Sequence, residues 1–327
     1  MRLIKTAISA TLASLVAIAP VAAAEYPDRP ISVIVPFAPG GTTDTLGRLV
    51  ATELAKKLDQ TIVVENLSGA GGLIGMQRLQ KSAPDGYTLA FNNMSLAILP
   101  YSQPKLNYDP LKELAPIGIV ATVPMVLSVS NKSGIQDLPQ LLERMRSDPD
   151  NMLNFGSSGP GSTAHLAEAM FLHHAKAPGE LIGYRGTGPA LIDLMSGTIE
   201  GVIDQTVTLL PLHADNRARA IAVTGASRLP QNPEIPTFAE GGLPEFDLTI
   251  WNGLVAPAGT PDHIVEKLTA ALSEVIDSPD FKERLESLAA DAPSADERGP
   301  EPFKALLQRD VQRVGDLVKS VDLLPQQ

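Results

Sequence analysis

The feature that most constrains the fold is the alternation of short β-branched runs with stretches of helical periodicity. Ile31–Val35 is typical of a strand, and it is followed by apolar residues at i, i+4 spacing, Leu46, Val50, Leu54 and Leu58. The pattern continues with a strand at 61–65, a helix at 73–83 and a strand at 87–91. Such alternation predicts an α/β fold in which a mainly parallel sheet is covered by helices on both faces.

Two longer apolar runs divide this pattern. Residues 117–130 are too long and too β-branched for one ordinary strand, and Pro124, which lacks an N–H group, should mark a bend or an edge. Residues 248–255 form a second run before a turn rich in proline and glycine. We interpret both runs as strands that cross between two lobes, since a single core stops growing near about 250–300 residues. The predicted bounds are 25–122 and 251–327 for lobe 1, and 123–250 for lobe 2.

The first 24 residues are typical of a secretory signal peptide. Arg2 and Lys5 make a positive start, residues 6–19 are apolar, and residues 22–24 (AAA) form an A-x-A cleavage site. The apolar segment is too short to span a bilayer, and no later run reaches about 18 apolar residues. We therefore predict export to the periplasm. Cleavage after Ala24 would leave 303 residues and change the formal charge from −11 to −13.

The composition excludes several chemistries. The chain has no cysteine, which rules out disulfides, zinc fingers, iron–sulfur clusters and a thiol nucleophile. With 37 acidic and 26 basic residues it lacks the basic surface that nucleic-acid phosphates require, and its 4% aromatic content is low for base stacking. The five histidines show no i, i+4 pair and no H-E-x-x-H motif, so we expect neither a metal nor another cofactor.

Loops that follow strands are the candidate ligand sites, because open parallel sheets bind ligands at the carboxyl ends of their strands. Residues 36–44 (PFAPGGTTD) offer two glycines and N–H groups at a helix start, which favours an anion. A plain tight turn with a helix capped by Thr42, Thr43 or Asp44 fits the same residues. Residues 66–72 lack the G-x-G-x-x-G and G-K-[ST] patterns of nucleotide sites.

A serine-rich loop in lobe 2 allows two interpretations. Residues 155–163 (FGSSGPGST) place hydroxyl groups and glycines before a helix, which again suits an anion. The same loop allows an exported serine hydrolase, with Ser158 or Ser162 as the nucleophile and His165 as the base. The G-x-S-x-G elbow of many such enzymes is absent, and this weighs against hydrolysis.

Two further positions in lobe 2 carry charge next to predicted strand ends. Arg185, in the loop 184–190, either clamps a carboxylate or lies exposed at the surface. Asp204, at the end of a short apolar strand, either orients a ligand hydroxyl or ammonium group or caps the next helix. We favour the capping role for Asp204.

Motifs along the whole mature chain resemble those of the Bug-type family of periplasmic solute receptors, which serve tripartite tricarboxylate transporters. Each motif alone is weak, whereas the ordered set is specific. The matching segments are 26–30 (YPDRP), 36–44 with Arg48, 63–66 (VVEN), 69–72 (GAGG), 84–89 (PDGYTL), 155–157 (FGS), 184–186 (YRG), 189–190 (PA) and 256–261 (APAGTP). At two places the chain departs from the family: Thr42-Thr43 occupy variable positions, and Glu200 stands where aspartate is more usual.

The resemblance implies a type II periplasmic binding protein clamshell. Two mainly parallel sheets, flanked by helices and joined by two crossover strands, would close over a small organic carboxylate. Loop backbone and hydroxyl groups of both lobes would hold the ligand. The implied ligand-binding residues are Phe37, Pro39, Gly40, Gly41, Thr42 and Asp44 in lobe 1, and Ser157, Ser158, Ser162, Thr163, Tyr184, Thr187 and Asp204 in lobe 2.

The resemblance also implies a receptor without enzymatic activity. We expect a monomer that presents its ligand to the membrane subunits of a tripartite tricarboxylate transporter, or that serves a sensor kinase. Dicarboxylates, tricarboxylates, acidic amino acids and aromatic acids all fit a clamp made of neutral donors.

Overall fold

The computed structural model describes residues 25–102 and 108–321. The predicted signal peptide and its cleavage site after Ala24 lie outside the described residues. No helix in the two described ranges combines the length and the hydrophobicity that a bilayer-spanning segment needs.

Strands and helices alternate through most of the described chain, as the periodicity predicts. The strands are β1 (Ile31–Val35), β2 (Ile62–Asn66), β3 (Thr88–Asn93), β4 (Leu114–Val129), β5 (Asn154–Ser157), β6 (Glu180–Gly183), β7 (Gly201–Gln205), β8 (Arg219–Val223) and β9 (Thr249–Pro257). The helices are α1 (Thr42–Leu58), α2 (Leu73–Gln80), α3 (Ser95–Ser102), α4 (Pro110–Glu113), α5 (Leu138–Ser147), α6 (Thr163–Ala175), α7 (Thr187–Ser196), α8 (Thr206–Ala214), α9 (Asp262–Asp277), α10 (Pro279–Ser287) and α11 (Pro300–Val321).

The strands form one mixed sheet in the order β2-β1-β3-β9-β4-β7-β5-β6, and β8 also pairs with β4. The outer strands are parallel, since β1 pairs in this way with β2 and β3, and β5 with β6 and β7. Every pair that includes β4 or β9 is antiparallel. The predicted α/β class is therefore confirmed, but the strands form a single mixed sheet whose two halves share β4, and not two mainly parallel sheets.

Strand β4 joins the two halves of the sheet. Residues 117–130, interpreted from the sequence as an unusually long strand, fall almost entirely within β4, which runs unbroken for 16 residues. It pairs with β9 as far as Pro124, which lies opposite Thr249, and from Met125 onward it pairs with β7 and β8. Two register shifts, of the kind that β-bulges produce, interrupt the pairing of β4 with β9. Pro124 therefore marks the change of partner strands.

Helix α1 shows how the apolar periodicity positions the site. Leu46, Val50 and Leu54 have no exposed surface and pack in one cluster with side chains of β1 and β3. Each such burial stabilises the fold by about 1.5–3 kcal/mol. The helix ends at Leu58, and the C-cap residue Asp59 adopts a left-handed conformation with φ of 48°. This packing holds the amino-terminal end of α1 next to the carboxyl end of β1.

Candidate functional site

A narrow cavity lies between residues of the two predicted lobes, at the carboxyl ends of β1, β3, β5 and β7. Its volume is about 10 Å³, which is room for about one water molecule. Both lobes contribute polar groups to its wall. The lining residues are Phe37, Gly41, Thr42, Thr43 and Asn93 from lobe 1, and Ser158, Thr163, Thr187, Asp204 and Gln205 from lobe 2.

Four helices begin at this cavity, and each begins with a threonine: Thr42 in α1, Thr163 in α6, Thr187 in α7 and Thr206 in α8. Three of them have no side-chain cap, and their N-cap residues are Gly41 for α1, Gly186 for α7 and Gln205 for α8. The first backbone N–H groups of these helices therefore have no capping acceptor. Because a helix N-terminus carries roughly half a positive charge, the cavity favours a negatively charged group.

The threonines at the start of α1 face the cavity. The predicted capping of α1 by Thr42, Thr43 or Asp44 is wrong, because the N-cap residue is Gly41 and no side chain caps the helix. The Thr42 hydroxyl lies 3.3 Å from the Thr208 hydroxyl of lobe 2. The Thr43 hydroxyl accepts a hydrogen bond from Asn93 Nδ2 at 3.0 Å. Both side chains thus supply hydroxyl groups to the wall.

Asp44 organises the first loop and does not line the cavity. Its carboxylate accepts hydrogen bonds from the Gly40 N–H at 3.1 Å, from Asn66 Nδ2 at 2.8 Å and from Arg48 Nε at 2.9 Å. Burial alone would raise the pKa of Asp44, but these hydrogen bonds and the charge of Arg48 outweigh it and lower the pKa. Asp44 is therefore ionised and holds the glycine loop in place.

The serine-rich loop of lobe 2 contains both residues that line the cavity and residues that hold the loop in place. The hydroxyls of Ser158 and Thr187 lie 2.7 Å apart, and both residues line the cavity. Ser157 accepts a hydrogen bond from the Gly159 N–H at 3.3 Å, and Ser162 caps α6. The loop is therefore fixed by its own hydrogen bonds, while Ser158 and Thr187 face the space between the lobes.

Tyr184 lies outside the cavity wall. Its hydroxyl donates a hydrogen bond to Asp193 Oδ2 at 2.7 Å. Burial, together with this hydrogen bond and the charge of Asp193, raises the pKa of Tyr184 to about 12. Tyr184 therefore stays neutral and connects the loop before α7 to that helix.

The described residues do not assemble the catalytic pair of a serine hydrolase. Ser162 Oγ accepts a hydrogen bond from the backbone N–H of His165 at 3.2 Å, which is a helix cap. The His165 ring is buried with Nδ1 unpaired, and burial lowers its pKa. Within residues 25–102 and 108–321, neither Ser158 nor Ser162 forms a hydrogen bond with this ring. A nucleophile and base in contact, which such an enzyme requires, are not found in this part of the chain.

Asp204 is the only acid among the ten lining residues, and it is 3% exposed. The capping role favoured from the sequence is wrong, because Gln205 is the N-cap residue of α8. Asp204 Oδ2 accepts a hydrogen bond from the Thr208 hydroxyl at 3.0 Å. Burial raises the pKa of Asp204 to about 6, although hydrogen bonds from the Gln205 backbone and from the Thr187 and Thr208 hydroxyls oppose this rise.

At the edge of the cavity, the backbone of lobe 1 contacts the backbone of lobe 2. The Ala38 N–H of lobe 1 donates a hydrogen bond to the Arg185 carbonyl oxygen of lobe 2 at 3.0 Å. A methyl group added at Gly188 would lie 2.1 Å from the carbonyl oxygen of Pro39. The Arg185 side chain itself is exposed, and it is not among the lining groups. Close approach of the lobes therefore depends on glycine at position 188.

The structure brings seven of the thirteen predicted site residues to the cavity wall: Phe37, Gly41, Thr42, Ser158, Thr163, Thr187 and Asp204. The other six lie in the surrounding loops and helix starts: Pro39, Gly40, Asp44, Ser157, Ser162 and Tyr184. Three lining residues were not predicted, namely Thr43, Asn93 and Gln205. Asn93 and Gln205 end β3 and β7, so extending these strands to their last residue would have identified both.

A comparison with protein families identifies the class to which this geometry belongs. The family model described as tripartite tricarboxylate transporter family receptor matches residues 46–323. The chain belongs to this receptor family. The predicted resemblance is thereby confirmed.

Solved structures agree with this assignment and confirm the periplasmic binding protein fold of the receptor. The periplasmic binding protein BugD is 32% identical, with a TM-score of 0.88 over 92% of this chain and all of that one. MatC from Rhodopseudomonas palustris with bound malate is 35% identical, with a TM-score of 0.86 over 90% of this chain and all of that one. An R. palustris protein with adipate is 29% identical, with a TM-score of 0.87 over 92% of this chain and all of that one.

Proposed function

We propose that this receptor binds a small carboxylate between its lobes and presents it to a tripartite tricarboxylate-type transporter without chemical turnover. The observation that carries the proposal is the convergence of four helix N-termini on one cavity lined by hydroxyl, amide and backbone groups. This arrangement attracts an anion. The malate in MatC and the adipate in the other R. palustris protein support a carboxylate as the ligand class.

Binding requires the two lobes to separate. A cavity of about 10 Å³ with walls from both lobes admits a carboxylate only after the cleft opens. We place the hinge where β4 changes partners at Pro124, opposite the start of β9. Residues 25–122 and 251–327 would then move against residues 123–250. The lobes would then close around the ligand, because only in a closed form that contains it does the ligand touch both lobes.

Neutral donors are sufficient for a useful affinity. Each hydrogen bond to a charged carboxylate contributes about 1.5–3 kcal/mol. Three or four such bonds can supply the roughly 8 kcal/mol of a micromolar Kd after the costs of ordering and closure. A salt bridge to the ligand is therefore not required.

The place of action follows from the same assignment. We propose that the receptor is a periplasmic monomer released by cleavage after Ala24, and its similarity to the periplasmic binding protein BugD supports this location. The membrane subunits of the transporter would recognise the shut form, in which both lobes present one continuous surface. A sensor kinase as an additional partner stays a prediction.

The proposal predicts that Ser158→Ala and Thr163→Ala each weaken carboxylate binding by about tenfold or more, since each removes one hydroxyl from the cavity wall. Titration calorimetry with malate and adipate on the exported protein measures the Kd, and recovery of unchanged ligand tests for turnover. The control is Ser287→Ala, which removes an exposed hydroxyl on α10. Unaltered Kd values for both cavity variants, or conversion of the ligand, would contradict the proposal.

A further inference from the structure

The cavity wall combines helix N-termini with one carboxyl group and no basic side chain. None of its ten lining residues is lysine, arginine or histidine, and Asp204 is their only acid. Four helix N-termini at roughly half a positive charge each offset about two negative charges. A doubly charged dicarboxylate beside an ionised Asp204 would bring three negative charges into this buried space. The helix N-termini would offset two of these three negative charges and leave one without compensation.

Glu168, the second buried acid near Asp204, does not change this charge balance. Glu168 on α6 is fully buried, accepts a weak hydrogen bond from the Ile203 N–H at 3.4 Å, and has its Oε2 atom unpaired. Burial raises the pKa of Glu168 well above its usual value, and the charge of Asp204 raises it further. Glu168 is therefore neutral, and it contributes no charge to the balance at Asp204.

The other titratable side chains of the elements packed around Asp204 add no cation to the cavity wall, and Arg185, in the loop before α7, is exposed and lies outside it. Strands β4, β5 and β9 carry no charged residue, and Asp204 is the only one in β7. His165 on α6 is kept neutral by burial, since burial lowers its pKa. On the neighbouring helices, Asp44 is paired with Arg48 on α1, Asp193 on α7 with Tyr184, His174 on α6 with Glu245, and His213 on α8 with Glu234, while His173 on α6 is exposed and is not a lining residue.

We propose that the receptor binds a dicarboxylate together with one proton, which Asp204 holds when the lobes close around the ligand. The proposal rests on the carboxylate-binding function proposed above and names the species that is bound. Protonation removes the excess charge and turns Asp204 from an acceptor into a donor toward the ligand. The raised pKa of Asp204, about 6 before a ligand adds its own charge, makes this proton uptake accessible near neutral pH.

The test is the pH dependence of malate binding to the exported protein. Malate is a dianion from about pH 6.5 to about pH 8.5, so changes in Kd over this range report on the protein. The Kd should rise toward about tenfold per pH unit, as linkage to a single proton requires. Calorimetry in two buffers of different ionisation enthalpy should show uptake of about one proton per malate near pH 8.

Asp204→Asn identifies the group that takes up the proton. This isosteric variant keeps an oxygen that accepts from Thr208 and removes the charge. Its Kd for malate should be constant over the same pH range, its proton uptake should vanish, and near pH 8.5 it should bind malate about tenfold or more tightly than the unmodified chain. The matched control is Glu168→Gln, which removes the titratable group of the buried neighbour and should leave the proton uptake unchanged.

Each outcome decides a different claim. A Kd for malate that does not change with pH in the unmodified chain, or weaker malate binding by Asp204→Asn near pH 8.5, overturns the proton-coupled mechanism and leaves carboxylate binding intact. Proton uptake that disappears in Glu168→Gln but persists in Asp204→Asn overturns the assignment to Asp204. If folded protein binds neither malate nor adipate at any pH in the range, both this proposal and the proposed function fail.

Discussion

Replacement of Gly188 by alanine should weaken carboxylate binding by at least about 100-fold while leaving the fold intact. The added methyl group would lie 2.1 Å from the Pro39 carbonyl oxygen across the cleft, so the lobes could not reach their closed approach. A ligand held by one lobe alone loses about two charge-assisted hydrogen bonds, or about 3–6 kcal/mol. Calorimetry with malate measures this loss, and small-angle scattering shows whether the ligand still compacts the protein.

Gly183→Ala is the matched control for this experiment. Gly183 also lies in lobe 2 and has no positive φ, and a methyl group there meets its nearest neighbours at 3.6 Å, which is an ordinary contact. The control should bind malate with nearly unchanged affinity, and both variants should have similar melting temperatures in the absence of ligand. Ligand-induced compaction of Gly188→Ala to the same extent as the control would refute the role of this contact in closure.

Replacement of Asp44 by alanine should lower the free energy of unfolding by about 2–4 kcal/mol. The change removes a buried acceptor and leaves the Gly40 N–H, the Asn66 amide and the Arg48 guanidinium without their shared partner. Malate affinity should fall as well, since the loop before α1 loses its anchor. Urea unfolding measures the first effect, with the exposed Asp150→Ala as the control.

The effect of Asp44 on stability should also depend on pH. Its pKa is lowered in the folded chain, so its contribution is complete above the pKa of the unfolded chain and is lost as the pH falls through the lower, folded pKa. The difference between the unmodified chain and Asp44→Ala should therefore shrink on strong acidification. A constant difference from pH 7 down to about pH 2 would show that the carboxylate charge contributes nothing.

Local patterns predicted the elements that carry the site, but not how the lobes meet. The period of Leu46, Val50 and Leu54 and the glycines after β1 are visible within a few residues of sequence, so α1 and its loop were placed correctly. The uncapped start of α1 was missed because Asp44 has partners 4 and 22 residues away, Arg48 and Asn66.

Side chains with distant partners show the same limit. The pKa of Glu168 depends on the charge of Asp204, which lies 36 residues later in the chain, and on burial that no local pattern reveals. Glu200, which departs from the family pattern, accepts a hydrogen bond from the Asn154 N–H at 2.7 Å and is not a lining residue. Its role is to hold the chain before β7 against β5.

The position of β9 in the sheet has a consequence for biogenesis. This strand comes from residues 249–257, yet it lies between β3 and β4, so the sheet of lobe 1 stays incomplete until about three quarters of the chain has been made. Contacts of such long sequence separation form slowly, because loop closure must precede the gain from pairing. A nascent chain of this topology therefore remains unfolded for longer, which is compatible with the export proposed above.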